Sequence, residues 1–565
     1  MAIRNQLKLM PESPLDLSVR FGEDTDVEHG AVFTRRWVVD LILDLVGYTP
    51  DRNLHELVAI EPSCGDGAFL VPMVERLVEA CRRAGADIGA ATDALSAFDL
   101  QAESVTRSRK AVREVLLHSG CSDDAAAGLS EAWVSHDDFL LASPDPESCD
   151  FVIGNPPYIR LENVPEVRQR AYRRAWPTMT GRSDIYVGFF EAGLNALRPS
   201  GKLAFICADR WMRNQYGRHL RRTIASDFAL DALIVMHDVD AFEDEVSAYP
   251  AICVLRREEQ GPVIAVEAHQ SFDAAAAERL KAWAGTAHAA DISGAESYDA
   301  AVLPTWFGGV ESWPTGSPER LKLLADLESR FPPLEDPSTG TRVGIGVATG
   351  ADQVFLTTEP DLVEPERLLP LAMAADTKSG AMQWSGHYLV NPWNANACEL
   401  VRLADYPRLR KHFLAHEDAL RGRNVGKRKP DQWYRTIDPV HHWLTSREKL
   451  LFPDIKNVIH PVLDEGKLYP HHNLYYVMSR DWPIDVLGGL LLSRVAQLFV
   501  ESYAVRMRGG WLRFQAQYLR RIRLPRREAV TKRAATVLSE SFFSRDVESA
   551  TACAMELYGI DELPR

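Results

Sequence analysis

Leu57-Val58-Ala59-Ile60-Glu61-Pro62-Ser63-Cys64-Gly65-Asp66-Gly67-Ala68-Phe69-Leu70 is the stretch on which the fold turns. Residues 57–61 form a short apolar run of the kind that makes a buried strand. Gly65 and Gly67 allow a tight turn where backbone approaches a ligand. From Val71 to Ala84 the apolar spacing is helical, and Gly85 is a natural stop. Strand, glycine loop and helix in this order open a doubly wound α/β domain. The spacing is neither the G-x-G-x-x-G of a dinucleotide fold nor a P-loop.

Working outward, Ala94-Leu95-Ser96-Ala97-Phe98 reads as the second strand and ends in Asp99. An acid there is placed to accept hydrogen bonds from ribose hydroxyls. A third strand, Trp133-Val134-Ser135, leads into Asp137-Asp138-Phe139-Leu140. Asp138 could accept from an adenine amino group while Phe139 packs on the ring. The fourth strand, Cys149-Asp150-Phe151-Val152-Ile153-Gly154, ends in Asn155-Pro156-Pro157-Tyr158.

That last turn carries the chemistry. Two consecutive prolines remove two backbone donors and hold the chain extended. The Asn155 side-chain oxygen and the Pro156 carbonyl are then two acceptors at the carboxyl end of a strand. An exocyclic amino group has two N–H donors to match them. Tyr158 offers a flat face for a planar base. Such residues suit holding an aromatic or amide NH2 group during a group transfer.

At 565 residues the chain is too long for one core. Its 46% apolar and 25% charged content are those of an ordinary globular protein, and a net charge of −15 argues against a uniformly basic nucleic-acid binder. The charge is uneven, however. Residues 401–450 hold 12 Lys/Arg against 6 Asp/Glu, and residues 501–530 hold 8 against 2. A local basic surface on an acidic protein is what a DNA-facing lobe shows. The 8 cysteines are scattered, with no C-x-x-C pair, and read as reduced thiols. No metal is expected. Neither a signal-type leader nor an apolar run of bilayer length is present, so a cytoplasmic protein with no membrane association is expected.

The order of these motifs resembles the S-adenosylmethionine-dependent amino-methyltransferases, and within them the gamma-class, TaqI-like DNA adenine-N6 methyltransferases. His29-Gly30-Ala31-Val32-Phe33-Thr34 is similar to that group's cofactor-clasping segment, with a helix to follow over Trp37 to Val46. Glu61, Ser63, Gly65 and Gly67 match its methionine-binding loop, Asp99 its ribose acid, and Asp138 and Phe139 its adenine pocket. Asn155, Pro156, Pro157 and Tyr158 match its catalytic turn. Beyond that turn, Gly181 to Glu191, then Leu197 to Ile206, keep the family order. In the segment Ala241-Phe242-Glu243, Phe242 is the candidate second aromatic wall of the base pocket. The resemblance spans residues 29 to about 255. It implies a seven-stranded Rossmann-like sheet, S-adenosylmethionine as cofactor, and double-stranded DNA as substrate with the base flipped out.

The expected organisation is a catalytic domain at 1–256, a helical connector at 257–340, a mixed α+β target-recognition domain at 341–530 and a helical segment at 531–565. In the recognition lobe, Arg421-Gly422-Arg423-Asn424-Val425-Gly426-Lys427-Arg428-Lys429 reads as a glycine-bearing cationic loop. Arg421, Arg423, Lys427, Arg428 and Lys429 are its candidate phosphate contacts. Arg506, Arg508, Arg513, Arg520 and Arg521 could add a second patch. A companion restriction endonuclease is an expected partner. Four alternatives stay open, one of them a non-catalytic DNA-binding role against which the intact motif set argues. A second is a cytosine-N4 methyltransferase, which more often has Ser where Asn155 stands, and another is a protein-glutamine or RNA amino-methyltransferase. The fourth is a fused restriction enzyme, suggested by Pro453-Asp454 with Glu465-Gly466-Lys467.

Overall fold

The computed structural model describes residues 32–142, 144–244, 249–286, 290–395, 397, 399–507 and 511–564, with the side chains of 506 and 507 excepted. His29, Gly30 and Ala31 of the expected clasping segment lie outside the described residues, as do Arg508 and the Arg506 side chain. The chain divides into two compact units, Met1–Leu321 and Lys322–Arg565.

Nine strands build one sheet in the first unit. They are β1 (Ala59–Glu61), β2 (Leu95–Asp99), β3 (Val134–His136), β4 (Cys149–Gly154), β5 (Leu197–Ala208), β6 (Ala229–Val235), β7 (Pro250–Arg256), β8 (Val263–Ala268) and β9 (Tyr298–Leu303). Their order is β3-β2-β1-β4-β5-β7-β6-β8-β9. The strands from β3 to β5 pair in parallel, while β7 runs antiparallel to both β5 and β6. Two strands more than the expected seven are therefore present. The extra pair, β8 and β9, comes from residues expected to form a helical connector. The alanine-rich stretch there does form the helix Ala274–Ala284. Val263-Ile264-Ala265-Val266, by contrast, is a β-branched run in the strand β8, whose Ile264–Glu267 pair with Ala232–Val235, where packing between β6 and β9 decides the conformation.

Alternation along the strands sorts side chains onto two cores. Ala59, Phe151, Ile153, Ala204, Ile206 and Val254 join one cluster, with Val39 and Ile42 of the helix Arg36–Val46 and Met73 and Leu77 of the helix Leu70–Ala84. Ile60, Val152, Leu203, Phe205 and Leu255 join the other, with Phe190 of the helix Tyr186–Ala196. Each such Val, Leu, Ile, Phe or Met side chain contributes about 1.5–3 kcal/mol by burial. Gly193 lets that second helix press close, since a Cβ there would stand 2.8 Å from Leu203 Cδ1.

The strand order reverses between β1 and β4, each flanked on its other side by strands running outward in the sheet. Such a switch point leaves a crevice at the carboxyl ends of the two strands. The Pro62–Gly67 turn and the Asn155 turn both leave from there.

In the second unit, strands Arg342–Ile345, Leu474–Met478, Glu448–Pro453 and Val462–Glu465 form an antiparallel sheet. A smaller four-stranded sheet and a three-stranded one lie in the same unit. Lys449 Nζ meets Asp464 Oδ2 at 2.5 Å with both side chains inaccessible to solvent. A buried pair of this kind is held by mutual need, since losing one partner strands the other charge. The last helices are Lys532–Ser544 and Val547–Tyr558. Among the described residues no helix is long and apolar enough to cross a membrane.

Candidate active site

A cavity of about 340 Å³ fills the crevice, and it takes lining residues from both turns and from the ends of β2 and β3. Gly65 (φ 51°) and Gly67 (φ 96°) hold left-handed backbone that only glycine adopts without strain. Asp99 locks the turn from the next strand. Its Oδ2 accepts from the Gly65 amide at 2.9 Å and its Oδ1 from the Gln101 amide at 2.8 Å. Burial pushes the Asp99 carboxyl above its usual range, and the two amide bonds oppose that. Ser108 Oγ donates to the Gly65 carbonyl at 2.7 Å and fixes the turn from behind.

Glu61, at the end of β1, is 1% exposed. Burial, then the charge of Asp99, drives its carboxyl well above the carboxylate range. Its Oε2 has no hydrogen-bond partner. An orphaned buried carboxylate oxygen beside a second acid calls for a cation, and a bound cation would restore the ionised form.

Asn155 is set by the same junction. Gly154 allows the two strand ends to close up, because a Cβ there would lie 3.3 Å from Pro62 Cδ. Ser63 Oγ donates to the Asn155 carbonyl at 3.0 Å. The Asn155 side-chain nitrogen donates to the Val32 carbonyl at 3.0 Å and to Thr34 Oγ1 at 3.2 Å. Both side-chain donors are thereby consumed, while Oδ1 is buried with no partner. Leaving such an acceptor unpaired costs about 1–3 kcal/mol. The cost is recovered only when a donor arrives. Thr34 thus both lines the cavity and anchors Asn155.

Asp138 is 2% exposed. Its Oδ2 accepts from Tyr172 OH at 2.7 Å and its Oδ1 from the Leu140 amide at 3.0 Å. Burial raises its carboxyl, opposed first by Tyr172 and then by Arg168. Tyr172 and Arg168 escaped the sequence reading. Their i, i+4 spacing on the helix Glu166–Ala175 puts them on one face, but nothing in the sequence says that this face meets Asp138. Phe139 stacks on Phe189 with centroids 5.6 Å apart and meets Phe98 edge-on. Phe139 and Phe189 give the cavity an apolar end suited to a purine.

Tyr158 donates from its hydroxyl to the Ile206 carbonyl at 3.3 Å. Its ring is edge-on to Tyr186 and to Phe242, at 6.4 and 6.3 Å. Tyr158 and Ile159 also line a second cavity of about 250 Å³, with Arg160, Asn163, Asp184, Tyr186, Ala208 and Arg210. Phe242 lies elsewhere than expected. It is 5% exposed, bridged by its backbone to Thr34, and absent from the lining of both cavities. It backs Tyr158 instead of forming a facing wall, because residues 33–35 and 241–243 pair as short extended segments.

The basic segment of the second unit also differs from expectation. It is helical, over Glu417–Gly422 and Asn424–Arg428, and not a loop. A Cβ at Gly426 would lie 2.4 Å from the Leu420 carbonyl, so the glycine serves this tight helix-to-helix passage. Arg423 is half-buried and turned inward. Its guanidinium donates to the carbonyls of Leu420, Thr349, Trp433 and Arg435 at 2.8–3.1 Å. Arg421 pairs with Glu417 at 2.7 Å and lies over the Trp433 ring. Lys427, Arg428 and Lys429 are exposed. In the second expected patch, Arg513 is paired with Asp454, Arg520 with Glu335 and Arg521 with Glu328. Those arginines are committed to carboxylates. Asp454 is held by Arg513, and Glu465 by Lys467.

Residues 104–242 match the Eco57I restriction-modification methylase family. The whole chain is similar to the type II methyltransferase M.PaeR7I of Pseudomonas aeruginosa, at 44% identity over 95% of this chain and 92% of that protein. It is similar to M.XhoI of Xanthomonas vasicola at 41%, covering 95% and 98%. It is similar to M.BstVI of Geobacillus stearothermophilus at 38%, covering 94% and 96%. In fold it resembles the type IIL restriction-modification enzyme MmeI, solved in complex with DNA. The TM-score is 0.53 at 12% identity, over 94% of this chain and 74% of that one.

Proposed function

We propose that this chain, which belongs to the type II methyltransferases of restriction-modification systems, methylates the N6 amino group of adenine in a specific double-stranded DNA sequence. DNA methylation is the activity of the family, and the family implies S-adenosylmethionine as the cofactor. The choice of adenine N6 rests on the Asn155 side chain, whose donors are both tied down and whose buried oxygen is unpaired at the cavity.

The cavity suits that cofactor. Glu61 offers an unpartnered buried carboxylate oxygen to an ammonium group, Asp99 stands where ribose hydroxyls need acceptors, and Phe139 offers a ring face beside Asp138. When bound there, S-adenosylmethionine supplies an electrophilic methyl group on a sulfonium. The protein's part is to hold the amine. Adenine's amino lone pair is delocalised into the ring and is a poor nucleophile. Asn155 Oδ1 and the Pro156 carbonyl would take its two N–H groups, favour a tetrahedral nitrogen and stabilise the positive charge that develops. The Tyr158 face would add to that stabilisation.

The target nitrogen is inside the duplex, so the base must leave the stack. The second cavity, sharing Tyr158 with the first, is the proposed seat of the flipped base. Lys427, Arg428 and Lys429 are the proposed phosphate contacts in the recognition unit, which we place within residues 341–530.

The test is methyl transfer from labelled S-adenosylmethionine to unmethylated duplex DNA, followed by nucleoside analysis. N6-methyladenine is the expected product. N4-methylcytosine would move the reading to the cytosine class, which more often carries Ser in place of Asn155. Label in RNA or protein alone would overturn it.

A further inference from the structure

Asp352, His471 and His472 lie in the second unit and take no part in the reading above. One donor atom from each can be chosen so that all lie within 4.8 Å of one another. His471 Nε2 stands 3.2 Å from Asp352 Oδ2, and the two imidazole centroids are 4.0 Å apart. Neighbours in an extended strand point to opposite faces. Here the chain turns after Tyr469–Pro470, with the His472 amide donating to Val347 and the Leu474 amide to the His471 carbonyl. The turn brings both rings to one side.

The surroundings are those of a prepared ligand set. His471 is 3% exposed, so its ring nitrogens are screened from bulk water. Thr349 Oγ1 donates to Asp352 Oδ1 and fixes the carboxylate. The Asn473 side chain stands against His471, yet His471 Nδ1 and Asn473 Oδ1 are both buried with no satisfied hydrogen bond. An ion on Nε2 would leave the proton on Nδ1 and give that amide oxygen its donor, the usual outer support of a metal-bound histidine.

We propose that Asp352, His471 and His472 form a binding site for a divalent transition-metal ion of the zinc type. Two imidazoles and one carboxylate suit that class, with a fourth position open to water on the exposed side of His472. The ion would tie the turn at 471–472 to the short helix Asp352–Phe355. Thr349, which braces Asp352, also receives the Arg423 guanidinium on its carbonyl at 2.9 Å. The ion therefore stiffens the base from which the exposed basic residues 427–429 project.

The experiment uses the full chain stripped by a chelator, titrated with Zn2+ by calorimetry and with Co2+ as an optical probe. Expected are one saturable site, a visible Co2+ absorption that Zn2+ displaces, and a rise in melting temperature with Zn2+. His472→Ala, at an exposed position, should weaken binding at least about tenfold and abolish the Zn2+-dependent rise, while the metal-free protein melts as the wild type does. Asp352→Asn should weaken binding in the same way. Absence of saturable binding, or undiminished affinity in His472→Ala, would overturn the site. The second result would place the metal elsewhere, on thiols for instance. No methylation readout enters, so this test is independent of the catalytic reading.

Discussion

The Asn155 side-chain nitrogen donates to the Thr34 hydroxyl at 3.2 Å across 121 residues of sequence. That bond, with the one to the Val32 carbonyl, decides which way the amide faces. The oxygen is left toward the cavity because both donors are used elsewhere. The segment before the helix Arg36–Val46 thus holds the Asn155 turn in position as well as lining the cavity.

Asn155→Ala should fold normally and bind S-adenosylmethionine with little change, yet lose methylation by ~100-fold or more, the scale for one transition-state acceptor. Thr34→Val should act more mildly. It removes one anchor of two and should lower kcat about tenfold with a smaller change in KM for DNA. Steady-state kinetics on a methylatable duplex measure both. Near-normal turnover in Asn155→Ala would sink the mechanism.

Asp99 has two duties that substitution can separate. Asp99→Asn keeps a carbonyl oxygen for one amide but loses an acceptor for the other, whereas Asp99→Ala releases both Gly65 and Gln101. Calorimetric titration should show cofactor affinity falling about tenfold in the Asn variant and further in the Ala variant. Gly65→Val should be at least as damaging, since its φ of 51° disfavours any β-branched residue. Unchanged affinity in all three would remove the cofactor assignment.

The first unit was legible where chemistry and local shape coincide. The glycine turn needs left-handed backbone, the strand ends carry acids, and the prolines after Asn155 announce a stop. All of these are written in adjacent residues. Four things were not, two of them in the second unit. The strands β8 and β9 flank an alanine-rich helix whose composition colours the whole segment, while β8 pairs with β6 and β9 with β8. Phe242 is an aromatic in the right segment, but its facing direction depends on the bridge to Thr34. Arg423 looks like its cationic neighbours, and only the four carbonyls around it show that it is structural. Asp352 and His471, 119 residues apart, are joined by tertiary folding alone.

Arg423 and its neighbours should therefore part company in experiment. Neutralising Lys427, Arg428 and Lys429 together should weaken binding to every duplex alike and flatten the salt dependence by about three or less, as counterion release requires. Arg423→Ala should instead lower the melting temperature, because it leaves four carbonyls without their donor. DNA affinity against salt concentration, paired with thermal melts, separates the two. A wild-type slope in the triple variant would make those residues ordinary surface charge.

The second unit should also be sensitive to mild acid. His412 and His460 are held below the usual 6.5, in both cases first by burial. His416 adds to the effect at His412, and Arg545 and Lys456 add to it at His460, while the carbonyls of Val354 and Thr377 oppose it. His442 is lowered by burial and by Arg367. A histidine depressed in the fold contributes stability that is complete above its unfolded value and is lost as pH falls through the folded value. The loss should therefore begin below about pH 6.5 and grow toward 5.5. Glu61, Asp99 and Asp138 work in the opposite sense. Their raised carboxyls weaken the first unit when ionised, and that penalty eases in acid. Comparing the wild type with His412→Gln/His460→Gln isolates the histidines. Between pH 7.5 and 5.5 the wild type should lose a few degrees of melting temperature, roughly the effect of 1 kcal/mol in a domain of this size. The double variant should lose less. Equal losses in the two proteins would mean that these rings do not set the acid limit.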